Sequence, residues 1–455
     1  MPHNSLSALA VAGFDLLRSD DPELHSLLDR ERLRQHNTLA MIASSSPADI
    51  SVLACESTSV SNVTTEGYPG RRYHAGCGVV DDIELLAVAR AKQLFGASYA
   101  NVQPHSGTSA NQVVMASLLR PGDTILGLRL DAGGHLTHGA AASFSGTYFN
   151  SVGYGLDETG LIDYDEVVRL AAEHRPQLII CGASAYPRKI EFDRFRLIAD
   201  SVGAYLLADI SHIAGLVVAG LHPSPIDAAH FTTTSTYKQL FGPRGGLILM
   251  GQDAGAPSPQ RGKTLAGMLQ HAVFPYFQGT PRINTIASKA RAFAIAATPQ
   301  FHELATRIRD NAIALAASLE KLGWPICTGG TDNHIVLVDV AARGLTGVIA
   351  ERAAEECGIV VNRNKIDGDG LPPLVAGGVR IGTNTLAARG MGRREMRECA
   401  ELVDRIWRAV VAHDSVNYHL GPDVRSEVEE AVLSLCKRFP LPDQPIGSHD
   451  TEFSR

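Results

Sequence analysis

Between residues 99 and 250, short apolar runs alternate with amphipathic segments, and this alternation constrains the fold more than any other feature of the chain. The runs are Tyr99–Val102, Thr124–Leu128, Leu178–Cys181, Tyr205–Ala208 and Leu247–Met250, each bounded by Gly, Pro or Asp. Continuous apolar runs of this length read as strands buried on both faces, which belong to a largely parallel sheet covered by helices. An α/β architecture follows. Leucines at helical spacing predict helix over 13–40, and Ile83, Leu85, Leu86, Val88 and Leu94 predict another over 81–95. From about residue 285 the pattern changes. A helical stretch over 286–322, interrupted near Pro299, leads to strands at Ile335–Val340 and Ile359–Val361 and to helices at Gly347–Cys357 and Arg393–Val411. This reads as a smaller α+β domain. The expected division is an N-terminal arm and helix over 1–45, a large domain over 46–285, and a small C-terminal domain over 286–455 that ends in a polar tail.

With 455 residues the chain can build two or three cores. A net charge of −7 and the absence of a basic run argue against a nucleic-acid partner. No apolar stretch reaches the ~20 residues that cross a bilayer. The first 17 residues carry no Lys or Arg, unlike the positively charged start of a signal peptide, so a cytoplasmic protein is expected. Seven cysteines, widely spread and without a C-x-x-C pair, read as reduced thiols rather than as disulfides or a zinc site, and no metal is expected.

Four segments carry chemistry. The segment STYKQLFGPRGG at 235–246 sets Lys238 beside hydroxyls and a rigid glycine turn. A Schiff-base lysine needs such a turn and a pocket that lowers its pKa, although a surface lysine beside a turn reads equally well. The run ending in Asp209, with His212 just after, places a carboxylate where open α/β sheets bind ligands, and Asp also suits a helix cap there. The segment HSGT at 105–108 opens a helix and suits an anion, as it would suit a simple cap. The glycine-rich loop GGHLTHG at 133–139 lets a flat ring approach closely, or is a structural loop with surface histidines.

Together with TTEGYPGRRYH at 64–74, ANVQPHSG, DETGLIDY, GASAY, HIAGL and GTDNH, these segments resemble the serine hydroxymethyltransferase family from about Arg32 to about Leu402. The resemblance implies a fold-type I, aminotransferase-like α/β fold with a mostly parallel seven-stranded sheet. It implies pyridoxal 5'-phosphate as cofactor and tetrahydrofolate as cosubstrate. By similarity, Lys238 carries the cofactor, Asp209 pairs with its ring nitrogen, His135 stacks on the ring, and His212 and Ser184 face its phenolic oxygen. Ser106, Gly107, Thr108 and the Gly279–Thr280 loop would hold the phosphate, with Tyr237 beside the lysine. Arg380 and Ser44 would take the amino-acid carboxylate. Glu66 would handle the hydroxyl proton and the folate, and Tyr73, Leu130, Gly134, Leu136 and Asn364 would line the pterin pocket. The family implies at least a homodimer, possibly a tetramer, with the segment around Glu66 entering the neighbour's site.

The chain departs from the family pattern inside the site. Thr64 and His74 stand where tyrosines are usual, Tyr237 where a histidine is usual, and Ser45 and Ser46 where Glu-Asn is usual. Thr280 replaces a glycine, and DGDGLPP at 367–373 replaces a Phe-Asp-Pro stretch. Thr64 removes about an aromatic ring of volume beside the substrate α-carbon, space that an α-methyl group would fill. The expected reaction therefore converts α-methyl-L-serine and tetrahydrofolate to D-alanine and 5,10-methylenetetrahydrofolate, as in the α-methylserine branch of the family. Ordinary serine–glycine exchange, folate-independent α-methylserine cleavage and a binding protein without catalysis are the alternatives.

Overall fold

The computed structural model describes residues 6–442, so the expected polar tail over 443–455 lies outside the described residues. Its centre is a seven-stranded sheet built from β1 (Tyr99–Asn101), β2 (Thr124–Leu128), β3 (Asn150–Tyr154), β4 (Leu178–Gly182), β5 (Tyr205–Asp209), β6 (Phe231–Ser235) and β7 (Gly246–Met250). The spatial order is β1-β7-β6-β5-β4-β2-β3. The pairs β2–β3, β2–β4, β4–β5 and β5–β6 are parallel, and β7 runs antiparallel to both β6 and β1. All five expected runs are strands. β3 and β6 escape an apolar-run search for opposite reasons. β3 is an exposed edge of mixed polarity, whereas β6, FTTTS, is wholly buried but built from β-branched threonines of low hydropathy.

Period-two alternation sends each face of this sheet to its own core. Leu126, Ile179, Leu206 and Leu247 join one cluster, while Ile125, Ile180, Leu207 and Ile248 join another on the far side. The helix Ile283–Ala296 packs Ile283, Ile286 and Phe293 into the first cluster. The next helix, Pro299–Lys321, spans two cores: Phe301, Leu304 and Ile308 face the large sheet, and Ala312, Leu315 and Leu319 face the C-terminal elements. There β8 (Ile335–Asp339), β9 (Asn362–Asn364) and β10 (Gly378–Gly382) form an antiparallel sheet in the order β8-β10-β9.

The helix predicted over 13–40 is two helices, Leu6–Asp20 and Pro22–Asn37, because Pro22 cannot continue the first and Asp21 caps the second through Leu24 N at 3.1 Å. Residues Leu39–Ala40, placed in the arm by the sequence pattern, pair in parallel with Ile359–Val360, and Leu39 and Met41 join the C-terminal core. A helix at Pro422–Arg438, which the sequence reading passed over, buries Val428, Val432, Leu435 and Cys436 in the same core. Among the described residues no helix is long and apolar enough to cross a membrane.

One buried cation ties these parts together. Lys289 is 1% exposed, and its Nζ donates to the carbonyls of Val102 (2.6 Å), Pro104 (3.1 Å) and Gly246 (2.8 Å). Three acceptors match the three N–H bonds of an ammonium group, although burial pulls its pKa down to about 7. Lys289→Met leaves three buried carbonyls without this donor and is expected to lower stability by about 3 kcal/mol or more. A fall in the urea midpoint measures this, and an unchanged midpoint would show that the carbonyls find other partners.

Candidate active site

Asp209 ends β5 and sits opposite Thr233 of β6, so its buried carboxylate emerges at the carboxyl edge of the parallel strands. Asn111 Nδ2 donates to it at 2.7 Å, Ser211 N at 3.0 Å, and His138 Nε2 lies at 3.2 Å. Burial opposes its ionisation, but the hydrogen bond and charge of His138, with His135 and Ser211, hold it well below the usual carboxylate range. Asn111 is itself fixed, donating to Thr137 Oγ1 at 2.8 Å and accepting from Thr233 Oγ1 at 2.5 Å. The sequence reading missed Asn111 and gave His138 no role of its own; only the packing of the helix Gly107–Leu118 on β6 and β7, and of the loop 133–139 on β2 and that helix, brings them to Asp209. His135, His138 and Asp209 each place a ligand atom within 4.8 Å of the others, a set that could also hold a cation.

Lys238 follows β6 by three residues and is 7% exposed. Burial brings its pKa down to about 8, opposed by Asp209 and helped by Arg380 and Arg244. Beside it the Tyr237 ring carries the Arg244 guanidinium 4.2 Å from its centre. His135 binds Thr137 Oγ1 through Nδ1 at 2.7 Å, and burial lowers its pKa to about 4. The buried His212 ring has a pKa well below normal, first through burial and then through Lys238 and Arg380, and its Nδ1 has no hydrogen-bond partner.

The helix Gly107–Leu118 opens with a reciprocal cap: Ser106 Oγ accepts from Ser109 N at 3.0 Å, and Ser109 Oγ accepts from Ser106 N at 2.8 Å. The Ser106 hydroxyl is thus partly engaged, and the N–H groups of Gly107 and Thr108 are those a helix start leaves without intrahelical acceptors. A Cβ at Gly107 would lie 3.2 Å from Ser211 Oγ and 3.3 Å from Ser235 N, so a larger residue there would press these neighbours aside by a few tenths of an ångström.

Arg380 lies at the centre of β10 and crosses to the large sheet, donating to the Ser184 carbonyl through Nη1 and to Asn362 Oδ1 through Nε at 3.1 Å. Burial lowers its pKa to about 10, and no carboxylate pairs with it among the described residues. Ser44 is brought beside this strand by close backbone packing: Gly382 N donates to Met41 O at 2.8 Å, and a Cβ on Gly382 would lie 2.2 Å from Ala43 Cα.

A second group of expected residues sits on an exposed rim. The Glu66 and His74 side chains are 40% and 44% exposed and approach within 3.4 Å of each other. A Cβ on Gly279 would lie 3.5 Å from Glu66 Oε1. Thr64 and Tyr73 are exposed, and Thr280 is half-buried. The rim is held by Arg72, which donates to the Thr65 and Gly67 carbonyls and pairs with Asp81 (2.8 Å) and Glu84 (2.6 Å). Leu130, Gly134, Leu136 and Asn364, far apart in sequence, line one cleft of about 670 Å³ together with His135 and Ser184.

A capped helix start with free N–H groups, a buried ionised carboxylate at a strand end and a buried lysine after the next strand are the arrangement expected of a fold-type I pyridoxal-phosphate enzyme. The family model described as serine hydroxymethyltransferase matches residues 17–403. A Wolbachia pipientis protein (subsp. Culex pipiens, strain wPip) named serine hydroxymethyltransferase is 46% identical over 426 residues, covering 93% of this chain and 96% of that protein. The chain belongs to the serine hydroxymethyltransferase family, whose enzymes transfer hydroxymethyl groups with pyridoxal phosphate and use tetrahydrofolate as cosubstrate.

The buried imidazoles make stability depend on pH. His135 and His334, with folded pKa values of about 4 and about 3, bind fewer protons than the unfolded chain below pH 6.5. Their contribution is present above that value and lost as pH falls; at pH 5 each has lost about 2 kcal/mol. The depressed Asp209 acts only below its unfolded value near 3.9, outside this window. Urea midpoints of the cofactor-free protein are expected to fall from pH 7 to pH 5. A flat profile would mean that the rings open to water on protonation.

Proposed function

We propose that the chain moves a hydroxymethyl group between an α-methyl amino acid and tetrahydrofolate. The observation that carries an amino-acid substrate is the Arg380 guanidinium, half-buried near Lys238 and without a carboxylate partner among the described residues. A cation partly withdrawn from water is costly until an anion arrives, and a guanidinium binds a carboxylate through two parallel hydrogen bonds.

The residues fit pyridoxal phosphate. Asp209, held ionised, would face a protonated ring nitrogen, Gly107 would leave room for close approach, and His212 Nδ1, without a partner among the described residues, would be free to meet a polar oxygen. Lys238 would carry the cofactor, with its amine kept less basic by burial, and His135 would cover the ring face as a neutral imidazole. Ser184 would face the phenolic oxygen, and Ser106, Gly107 and Thr108 would hold the phosphate with the Gly279–Thr280 loop. When bound, the cofactor supplies an electron sink for the charge left at the substrate α-carbon.

Arg380 and Ser44 orient the amino acid through its carboxylate. Glu66 takes up and returns the hydroxyl proton and meets the folate. The cleft holding Leu130, Gly134, Leu136 and Asn364 receives the pterin, with Tyr73 at its edge. The exposure of Glu66, His74 and Tyr73 in a single chain supports a homodimer in which this rim completes the neighbour's site. Seven free cysteines, five of them buried, suit a cytoplasmic enzyme.

Thr64 supports the α-methyl substrate, because a small side chain two residues before Glu66 leaves room at the α-carbon. The relative named serine hydroxymethyltransferase favours plain serine and glycine instead. Absorbance titration of the holoenzyme with D-alanine and with glycine, each with and without tetrahydrofolate, separates the readings. D-alanine is expected to give the stronger long-wavelength band, enhanced by folate. A response to glycine alone would make this an ordinary serine–glycine enzyme, and a D-alanine band indifferent to folate would favour folate-independent cleavage. Arg380→Lys is expected to raise the amino-acid KM ~100-fold, since a charged bidentate pair is lost.

A further inference from the structure

His334 has no part in the chemistry above, yet its ring is fully buried beside the site. It immediately precedes β8, and its Nε2 lies 3.1 Å from the Ala43 carbonyl. A carbonyl only accepts, so Nε2 carries the hydrogen and Nδ1 keeps a bare lone pair. That Nδ1 has no hydrogen-bond partner among the described residues. The ring lies almost parallel to His212, with centres 5.8 Å apart and planes 19° from each other. Burial first, then Arg380 and Lys238, hold the ring neutral with a pKa of about 3, against the pull of the Ala43 carbonyl.

An apolar side chain would fill this space without leaving a buried nitrogen unpaired. What an apolar side chain lacks is the pair of contacts His334 makes at once. One edge grips the residue just before Ser44, in a segment that packs on β10 two residues from Arg380. One face supports His212, which follows β5. Ser44, His212 and Arg380 come from three separate parts of the chain, and the one imidazole reaches the first through its neighbour Ala43 and the second through the ring stack.

We infer that His334 is a positioning residue for the carboxylate end of the substrate site, setting Ser44 through Ala43 and His212 through the ring stack. The inference rests on the reading that Arg380 and Ser44 receive the amino-acid carboxylate. Ala43 O also accepts from Asn384 Nδ2 at 3.0 Å, so removing the imidazole donor leaves that carbonyl partnered and the fold intact.

Two variants divide the contacts. His334→Phe keeps a ring against His212 and loses the donor; His334→Gln keeps a donor that reaches Ala43 and loses the ring. In the holoenzyme His334→Phe is expected to raise the amino-acid KM ~10-fold with kcat and cofactor affinity within about 2-fold, and His334→Gln to return KM to within about 3-fold of the parent. In the cofactor-free protein His334→Phe should speed deuterium uptake in the peptide covering residues 39–46, and His334→Gln should not. An unchanged KM in His334→Phe overturns the inference, and so does a joint fall of kcat, amino-acid affinity and cofactor affinity in both variants, which marks a packing defect. Arg380→Lys measured alongside separates the two levels: if it also leaves KM unchanged, the carboxylate reading fails, whereas a raised KM there with an unchanged His334→Phe sinks the His334 step alone.

Discussion

The Lys289 ammonium, buried among three backbone carbonyls, is the constraint on which the site depends most. Its acceptors are the end of β1 at Val102, the turn residue Pro104 and the start of β7 at Gly246. Pro104 stands two residues before Ser106, and Gly246 closes the turn that begins after Lys238. One cation therefore fixes the helix start at Ser106 relative to the turn that follows Lys238.

Around that anchor the charges are arranged by burial. Asp209 stays ionised because Asn111, Ser211 and His138 supply hydrogen bonds that offset desolvation. Arg380 receives only neutral oxygens, from Ser184 and Asn362, and remains a cation without an anion. The histidines between them, His135, His212 and His334, are kept neutral by the same burial. Beside Lys238, the site thus presents the satisfied negative charge of Asp209 and the unsatisfied positive charge of Arg380, with uncharged rings between.

Much of this was legible in the sequence. The apolar runs gave away five of seven strands, because strands buried on both faces have no polar positions to interrupt them. β6 was hidden by its threonines and β3 by its exposure. The site motifs were legible as well, since Lys238, Asp209 and the 133–139 loop each carry a local signature. Asn111 and Lys289 carry none, and Arg72 and His334 sit in matched segments that give them no role. Each is an ordinary polar residue whose importance comes from the partners the fold brings to it: Asp209 and Thr233 for Asn111, Asp81 and Glu84 for Arg72, three backbone carbonyls for Lys289, and Ala43 and His212 for His334.

By itself, the sequence determined the α/β class and the family, because these rest on local hydropathy and on a series of matched segments, and it singled out Lys238 and Asp209 as candidates for the cofactor site. Only the tertiary structure decided that Leu39–Met41 joins the C-terminal core, that Ser44 meets the strand of Arg380, and that Glu66 stands on an exposed rim while Lys238 is buried. Those outcomes depend on which distant segments pack together, and packing is set by the shape of surfaces that exist only once the chain has folded.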